Sequence, residues 1–146
     1  MRIRPGTEKD LEAWLSLRLA LWPETPEAQH RVEMEDILAD PKDNGVVVCE
    51  DDAGRLVGFA EVSLRKWAEG CLSSPVGYLE GWYVAEGARR QGVGGQLVRA
   101  AEAWARAKGC SEMASDTDLD NAVSEAAHQR LGYEIAGRVL CFRKEL

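Results

Sequence analysis

Apolar residues recur at helical spacing in two segments near the start of the chain. The first segment follows a short strand pattern at Met1–Arg4, begins at Thr7, a favoured N-cap residue, and ends at Trp22. The second has Pro26 in its first turn and ends at Asp40. The side chains that this spacing directs inward are Leu11, Trp14, Leu15, Leu19, Val32, Ile37 and Leu38. The pattern predicts one edge strand and two amphipathic helices.

Three strand-length apolar runs follow in the middle of the chain. Val46–Glu50 and Leu56–Arg65 flank Asp51–Gly54, a cluster of turn-forming residues, which predicts an antiparallel hairpin. The third run, Gly77–Val84, leads into a glycine-rich turn and then a long amphipathic helix. Because strand–helix–strand connections join parallel strands, the next run, Glu112–Asp116, is predicted to lie parallel to the third.

The last part of the chain contains one helix pattern and two short strand patterns. The helix follows Asp118–Asn121 and ends at Gly132, and the closing strands are predicted at Tyr133–Ile135 and Val139–Arg143. Helix positions predicted to face inward are Ala122, Ala126, Ala127 and Leu131. Together the elements predict one α/β (α+β) domain, residues 1–146, with a mixed, mostly antiparallel sheet of six to seven strands and about four helices.

A formal net charge of −7 and an apolar content of 45% describe an acidic globular chain of 146 residues. This charge repels nucleic acid and anionic membranes and favours a cationic partner, although it also serves solubility. No apolar run reaches membrane-spanning length and Met1–Asp10 lacks an apolar leader region, which predicts a cytoplasmic protein with no membrane span. The four cysteines stand far apart, which predicts reduced thiols and no metal site.

A turn with two arginines and three glycines stands immediately before the long helix. Glycines allow a tight backbone turn at a helix start, where unpaired N–H groups and the positive end of the helix dipole point outward. The arginines add positive charge in an otherwise acidic chain. The residues of this turn are Arg89, Arg90, Gln91, Gly92, Val93, Gly94 and Gly95. They predict a phosphate-binding site, and the alternative is a plain turn with a helix cap.

Five motifs, in order along the chain, carry a family resemblance. The turn RRQGVG at Arg89–Gly94 matches R/Q-x-x-G-x-G/A, the acetyl-CoA pyrophosphate motif of the GCN5-related N-acetyltransferase (GNAT) superfamily. The other motifs are LRLALW (17–22), SPVGYLEGWYV (74–84), ASDTDLDN (114–121) and HQRLGY (128–133). With all five, the chain resembles the aminoglycoside 6'-N-acetyltransferases of that superfamily most closely.

The resemblance implies a GNAT fold, with acetyl-CoA beside the parallel pair of strands and no metal. Besides the glycine turn, the residues implied to bind the cofactor are Trp82, Tyr83, Val84 and Asn121. The residues implied to face the aminoglycoside are Trp22, Trp67, Glu80 and Asp116. From the sequence alone, Trp22 is either a core anchor or an exposed stacking surface. Relatives of this kind often pair through their closing strands, which implies a homodimer.

The predicted catalytic residues are Glu80, Asp116 and His128. An alkylamine with a pKa of about 10.4 must lose a proton before it attacks, a handicap of about 4.6 kcal/mol at pH 7. Glu80, within an apolar strand, is the predicted base, and its alternative is a structural pair with an arginine. Asp116 either binds substrate or caps the next turn. His128, where many members have tyrosine, either protonates the leaving thiolate or packs against the cofactor or its helix.

The same residues leave other functions open. The protein either acetylates aminoglycosides, acetylates another amine such as a protein N-terminus or a polyamine, or senses acetyl-CoA without turnover. The presence of both Glu80 and Asp116 argues against a sensor. No spacing indicates a cysteine next to His30 or His128, so direct transfer in a ternary complex is predicted rather than a covalent intermediate.

Overall fold

The computed structural model describes residues 1–146, and its central feature is one mixed sheet with the strands in chain order. The strands are β1 (Arg2–Pro5), β2 (Asn44–Glu50), β3 (Leu56–Arg65), β4 (Val76–Val84) and β5 (Met113–Ser115). Strands β1 to β4 pair in antiparallel fashion, whereas β4 and β5 are parallel. The predicted mixed sheet with one parallel pair is therefore confirmed.

Four α-helices flank the sheet, as predicted. They are α1 (Leu11–Leu21), α2 (Glu27–Ala39), α3 (Val93–Ala107) and α4 (Ala122–Arg130). A 3-10 turn at Glu8–Asp10 leads into α1, and the N–H of Thr7 donates to the Asp10 carboxylate over 2.8 Å. No helix is both long enough and apolar enough to cross a lipid bilayer.

The core lies on both faces of the sheet, because successive residues of β2 point to opposite sides. Val47 and Cys49 pack on the side of α3, together with Leu97. Val46 and Val48 pack on the side of α1 and α2. The sheet therefore has an α3 face and an α1–α2 face, and the predicted site residues are divided between them.

The sheet has five strands rather than the predicted six to seven. The segments predicted as closing strands, Tyr133–Ile135 and Val139–Arg143, form no strand. Their apolar side chains are largely exposed: Ile135, Val139, Leu140 and Phe142. A strand needs a partner edge for its N–H and C=O groups, and this segment pairs with no other strand of its own chain.

Two predicted helix faces also differ from the structure. In α2, Val32 is exposed, and the buried residues are His30 and Met34. Sequence periodicity favoured the more hydrophobic valine, but His30 is buried because a buried arginine provides it with a hydrogen-bond partner. In α4 no residue is buried, so Ala122 and Ala126 do not face a core.

Candidate active site

Strand β4 continues for five residues beyond the point where β5 leaves it. The last parallel pair joins Leu79 to Ser115, whereas β4 stays paired with β3 as far as Val84. The β5 side of residues 80–84 therefore has no strand partner, and the two strands diverge. An extended ligand can add to such an edge through main-chain hydrogen bonds. The predicted cofactor residues Trp82 and Tyr83 lie on this open edge.

The glycine-rich turn follows β4 and begins α3. Arg90 and Gly92 have positive φ angles, 63° and 78°, so the backbone turns sharply before the helix. The first helical hydrogen bond runs from Gln96 N–H to Gly92 O. The N–H groups of residues 93–95 therefore precede the helical bonding pattern, at the positive end of the dipole. No atom lies within 4 Å of a Cβ built on Gly92, so an anion can approach this backbone.

The two arginines of the turn have different environments. Arg89 Nε donates to the carbonyl oxygen of Val84 over 2.8 Å, and its guanidinium lies 5.6 Å from the Tyr83 ring centroid. Arg89 therefore ties the turn to the end of β4. Arg90 is exposed and makes no ion pair, which leaves its charge available to a ligand. Gln91 is exposed as well and donates to the carbonyl oxygen of Gly87 over 3.4 Å.

Asn121 begins α4, and Trp82 supports the glycine-rich turn. The Asn121 side chain accepts a hydrogen bond from Ser124 N–H over 3.0 Å and so caps α4. The Trp82 indole lies against Gly94, where a Cβ would come within 3.0 Å of the ring. Its Nε1 is buried and has no hydrogen-bond partner. The turn therefore rests on Trp82, and a side chain at Gly94 would push the two apart.

Glu80 occupies a β-bulge. Glu61 pairs with Gly81 and Val62 with Leu79, so Glu80 is the extra residue of β4. As a result both Glu80 and Gly81 face α1 and α2, whereas Trp82 faces α3. The bulge lies where β4 diverges from β5, so the Glu80 carboxylate stands on the α1–α2 face next to the open edge.

The Glu80 carboxylate has three donors. Arg65 binds it through Nε and Nη2, at 2.9 and 2.8 Å, and Ser63 Oγ donates over 2.6 Å. The arginine partner that the sequence left as an alternative is therefore present. However, 32% of the Glu80 side chain is exposed. The prediction that Glu80 needs a partner because it is buried was therefore wrong in its reason, although the partner is present.

Asp116 follows β5 and is linked to Glu80 through two side chains. The Tyr78 hydroxyl donates to Asp116 Oδ2. Burial, and then the hydrogen bond to Asp116, raise the pKa of Tyr78 above its ordinary value, so the phenol stays protonated and donates. The Arg65 guanidinium carbon lies 3.4 Å from the Tyr78 ring centroid. One arginine thus contacts both the partner of Asp116 and Glu80 itself.

The two tryptophans predicted to contact substrate are placed differently. Trp22 is half-buried, stacks on His30 at a centroid distance of 6.2 Å and covers Gly81 of the bulge. It is therefore anchored on one side and open on the other. Beside it, a cleft of about 630 Å³ is lined by the carboxylates of Glu33, Asp36, Asp43, Glu61 and Glu80. Trp67 is 68% exposed, in the loop after β3.

His128 lies on the α3 face at the point where the strands diverge. Its Nδ1 is 2.7 Å from the Ser124 carbonyl oxygen, which can only accept, so Nδ1 carries the proton. Its Nε2 lies 2.8 Å from Ser115 Oγ, which also lies 3.3 Å from the Leu79 carbonyl oxygen. The ring also contacts Trp82 edge to face at 5.4 Å. This serine–histidine pair was not predicted, since nothing in the spacing of Ser115 and His128 indicates contact.

A buried ionic network beneath Trp22 was also missed. Glu61 accepts from Arg18 over 2.6 and 3.0 Å and from Trp14 Nε1 over 2.9 Å. Arg18 also donates to His30 Nδ1, so His30 Nε2 carries the proton and donates to the Trp22 carbonyl oxygen. The signal was available: Arg18 lies in the apolar stripe of α1, and Glu61 lies between apolar residues of β3.

The site therefore has two sides separated by β4. The open strand edge and the glycine turn form one side, with His128 beside them, and the other side holds Glu80, Asp116 and Trp22. Trp67 lines a cavity with Arg65, Tyr78 and Asp116, and Asn121 caps α4. No group of three or more histidine, cysteine or acidic side chains is arranged to hold a metal ion. The arrangement can hold a phosphate-bearing chain along the strand and a cation across it.

Comparison with known proteins identifies relatives over almost the entire chain. The family model described as "Acetyltransferase (GNAT) family" matches residues 11–133. The chain is 45% identical over 146 residues to aminoglycoside N(6')-acetyltransferase type 1 from Klebsiella aerogenes, covering 99% of this chain and 96% of that protein. It is 48% identical over 138 residues to the protein of the same name from Serratia marcescens, covering 94% of each.

Solved structures show the same similarity. The structure of AAC(6')-Iy in complex with the bisubstrate analogue CoA-S-monomethyl-acetylneamine matches with a TM-score of 0.94 and 40% identity, covering 99% of this chain and 98% of that one. AAC(6')-Ih from Acinetobacter baumannii, an aminoglycoside 6'-N-acetyltransferase, matches with a TM-score of 0.92 and 36% identity, with the same coverage of each chain. The similarity therefore includes both sides of the site.

Proposed function

The chain belongs to the acetyltransferase (GNAT) family, and on this premise we propose that it transfers the acetyl group of acetyl-CoA to the 6'-amino group of aminoglycosides. The observation that carries the proposal is the divergence of β4 from β5 after Leu79, which leads directly into the glycine turn. The relatives named above support the substrate class. Residues 1–146 act as one domain.

On the α3 face, the main chain binds the cofactor. The open edge at 82–84 pairs with the amides of the pantetheine arm, and the N–H groups of the turn bind the pyrophosphate. The residues assigned to these contacts are Trp82, Tyr83, Val84, Arg90, Gln91, Gly92, Val93, Gly94 and Gly95. Arg89 supports the turn from Val84, and Asn121 approaches the cofactor from the start of α4.

On the α1–α2 face, carboxylates bind the aminoglycoside as a cation. Glu80 and Asp116 stand across β4 from the acetyl group, and the acidic cleft beside Trp22 receives further ammonium groups. The Trp22 and Trp67 indoles pack on sugar faces. A net charge of −7 attracts this polycation and raises its local concentration at the site.

The reaction proceeds by direct attack in a ternary complex. Glu80 holds the ammonium group and accepts its proton, directly or through one water molecule, with Asp116 as a second acceptor. The neutral amine attacks the thioester carbon, and a main-chain N–H near Tyr83 or Val84 stabilises the oxygen as it becomes negative. The C–S bond breaks as the carbonyl re-forms, and the departing thiolate takes up the second proton that the nitrogen loses. The thiol has a pKa of about 8.5, so thiolate departure needs less assistance than amine deprotonation. His128 and Ser115 border the sulfur and orient the cofactor.

A matched antibiotic pair tests the function. Neomycin carries an amino group at position 6', whereas paromomycin carries a hydroxyl group there. With acetyl-CoA and a thiol reagent, neomycin is expected to release free coenzyme A at an enzymatic rate and paromomycin is not. Equal release from both would place acetylation at another nitrogen, and no release from either would contradict acetyltransferase activity.

We also propose that two copies associate through Tyr133–Leu146, in the cytoplasm, where acetyl-CoA is consumed. The support is the exposure of apolar side chains in a segment without a strand partner. Pairing between copies would bury them and supply the missing strand edges. Light scattering after size exclusion is expected to give twice the chain mass of 16.1 kDa. Truncation after Gly132 would then give a monomer, whereas an unchanged dimer mass would place the interface elsewhere.

A further inference from the structure

Arg65 stands in the middle of the acceptor site, yet the reaction described above does not use it. Its side chain is 43% exposed at the end of β3 and makes a two-point ion pair with Glu80. It also lies over the Tyr78 ring, whose hydroxyl donates to Asp116. The positive charge of Arg65 therefore lies close to both Glu80 and Asp116, the carboxylates that are proposed to bind the substrate ammonium group.

Arg65 reduces the net negative charge beside the reacting ammonium group. Glu80 and Asp116 contribute −2 and Arg65 contributes +1, so these three side chains sum to −1. Arg18 pairs with both Glu61 and Glu33, and Asp36 and Asp43 add negative charge further along the cleft. At Glu80 and Asp116 themselves, the reacting ammonium group therefore meets a net charge that it can neutralise alone.

Arg65 also restrains the orientation of the Glu80 carboxylate through its hydrogen bonds. A carboxylate has about four lone-pair positions. Ser63 Oγ and Arg65 Nε both donate to Oε1, and Arg65 Nη2 donates to Oε2. About one position on Oε2 remains for the substrate. Glu80 is therefore held in one orientation before the amine arrives.

We propose that Arg65 is a positioning residue that acts as a resident cation of the acceptor site: it orients Glu80 and competes with the substrate ammonium for it. This inference rests on the proposed aminoglycoside acetylation. Arg65 weakens binding of the ground state, because the substrate shares Glu80 with a second cation. It accelerates the reaction, because the remaining lone pair is aligned before the amine binds.

Substitution of Arg65 by methionine separates these two effects. Arg65→Met retains an unbranched apolar side chain but removes the charge, so the ammonium no longer competes. We expect KM for neomycin to fall about tenfold, since one charge within a few ångströms is removed from a half-exposed site. We expect kcat to fall about tenfold as well, since Glu80 is then held by Ser63 alone. A purely structural role would not lower KM.

Two further variants complete the comparison. Arg65→Lys keeps the charge but loses the two-point geometry, so KM is expected to stay near the wild-type value while kcat falls about threefold. Arg55→Met is the matched control, because Arg55 also pairs with an acidic residue, Asp51, but at the exposed β2–β3 turn. Its kinetics are expected to be unchanged.

Calorimetry makes the test independent of turnover. Neomycin is titrated into each protein loaded with coenzyme A, at low and at high salt. Arg65→Met is expected to bind about tenfold more tightly than wild type at low salt, with a smaller difference at high salt.

Weaker or unchanged binding by folded Arg65→Met would overturn the inference while wild-type acetylation still stood. Loss of wild-type acetylation would instead contradict the function. If Arg65→Met does not fold, Arg65→Lys decides, and wild-type kcat in that variant would overturn the inference.

Discussion

Arg18 and Glu61 form an ion pair beneath α1, with 2.6 Å between Nε and Oε1 and only 4% of each side chain exposed. Trp14, His30 and Glu33 also bind to this pair, so the network joins α1, α2 and β3. Because His30 donates to the Trp22 carbonyl oxygen, the same network supports the tryptophan that covers the bulge. The fold and the proposed substrate-binding surface at Trp22 therefore depend on one set of buried groups.

Arg18→Met is expected to destabilise the fold by about 3–5 kcal/mol, because it leaves the Glu61 charge buried without its partner. Chemical denaturation with one-transition analysis measures the loss. The double variant Arg18→Met/Glu61→Met is expected to recover only part of it, since the unpaired Glu61 charge is gone but the buried Trp14 Nε1 and His30 Nδ1 lose their hydrogen-bond partners. Arg2→Met, which removes the exposed Arg2–Glu50 pair, is the control and should change stability by less than about 1 kcal/mol. If Arg18→Met and Arg2→Met lowered the free energy of unfolding by similar amounts, burial of the Arg18–Glu61 pair would not explain the loss.

Gly81→Ala is expected to reduce aminoglycoside turnover, because a Cβ at this position overlaps the Trp22 indole and displaces it from the bulge. We expect kcat/KM to fall about tenfold to a hundredfold, with unchanged affinity for coenzyme A on the opposite face. Gly87→Ala is the control, since its Cβ would meet no atom within 4 Å. Unchanged kcat/KM in a folded Gly81→Ala protein would remove Trp22 from the substrate site.

The bulge shows where sequence reasoning ended. Period-two alternation places Glu80 and Gly81 on opposite faces, whereas the extra residue at Glu80 brings both to the α1–α2 face. Position 81 needs glycine because the Trp22 indole leaves no room for a Cβ there. The sequence alone does not show this contact, since it depends on how α1 packs on the sheet. Local patterns therefore identified the strand and the carboxylate, but not what the carboxylate touches.

The closing strands show a different limit. The segment after Gly132 has strand-like composition, and the pattern predicted two strands there. A strand forms only where another strand offers its hydrogen-bonding edge, and that depends on distant parts of the chain or on a second copy. By contrast, the glycine turn lies where the sequence predicted it, because the positive φ angle at Gly92 favours glycine, although Arg90 also has a positive φ angle that its residue type did not predict.

Asp10 gives the fold a defined dependence on pH. The two-point hydrogen bond from Arg4, at 2.8 Å on each oxygen, holds the pKa of Asp10 below its ordinary value of 3.8. A lowered folded-state pKa contributes stability that is fully present above 3.8 and is lost as pH falls through the folded value. Asp10→Asn is expected to cost about 2 kcal/mol at pH 7 and to flatten the decline of unfolding free energy below pH 4. If the free energy of unfolding of Asp10→Asn fell equally steeply below pH 4, other carboxylates would cause the decline.

Gly92→Ala tests the phosphate-binding turn, and Gly109→Ala separates backbone strain from ligand contact. Both glycines have positive φ angles, 78° and 90°, and a Cβ at either position would meet no atom within 4 Å, so alanine strains both by about 1–2 kcal/mol. Only Gly92 lies at the start of α3, where the N–H groups are proposed to bind the pyrophosphate. Calorimetry with coenzyme A is therefore expected to show weaker binding, by about tenfold, for Gly92→Ala and wild-type affinity for Gly109→Ala. Equal affinity in the two variants, at equal loss of stability, would contradict the assignment of the pyrophosphate to this turn.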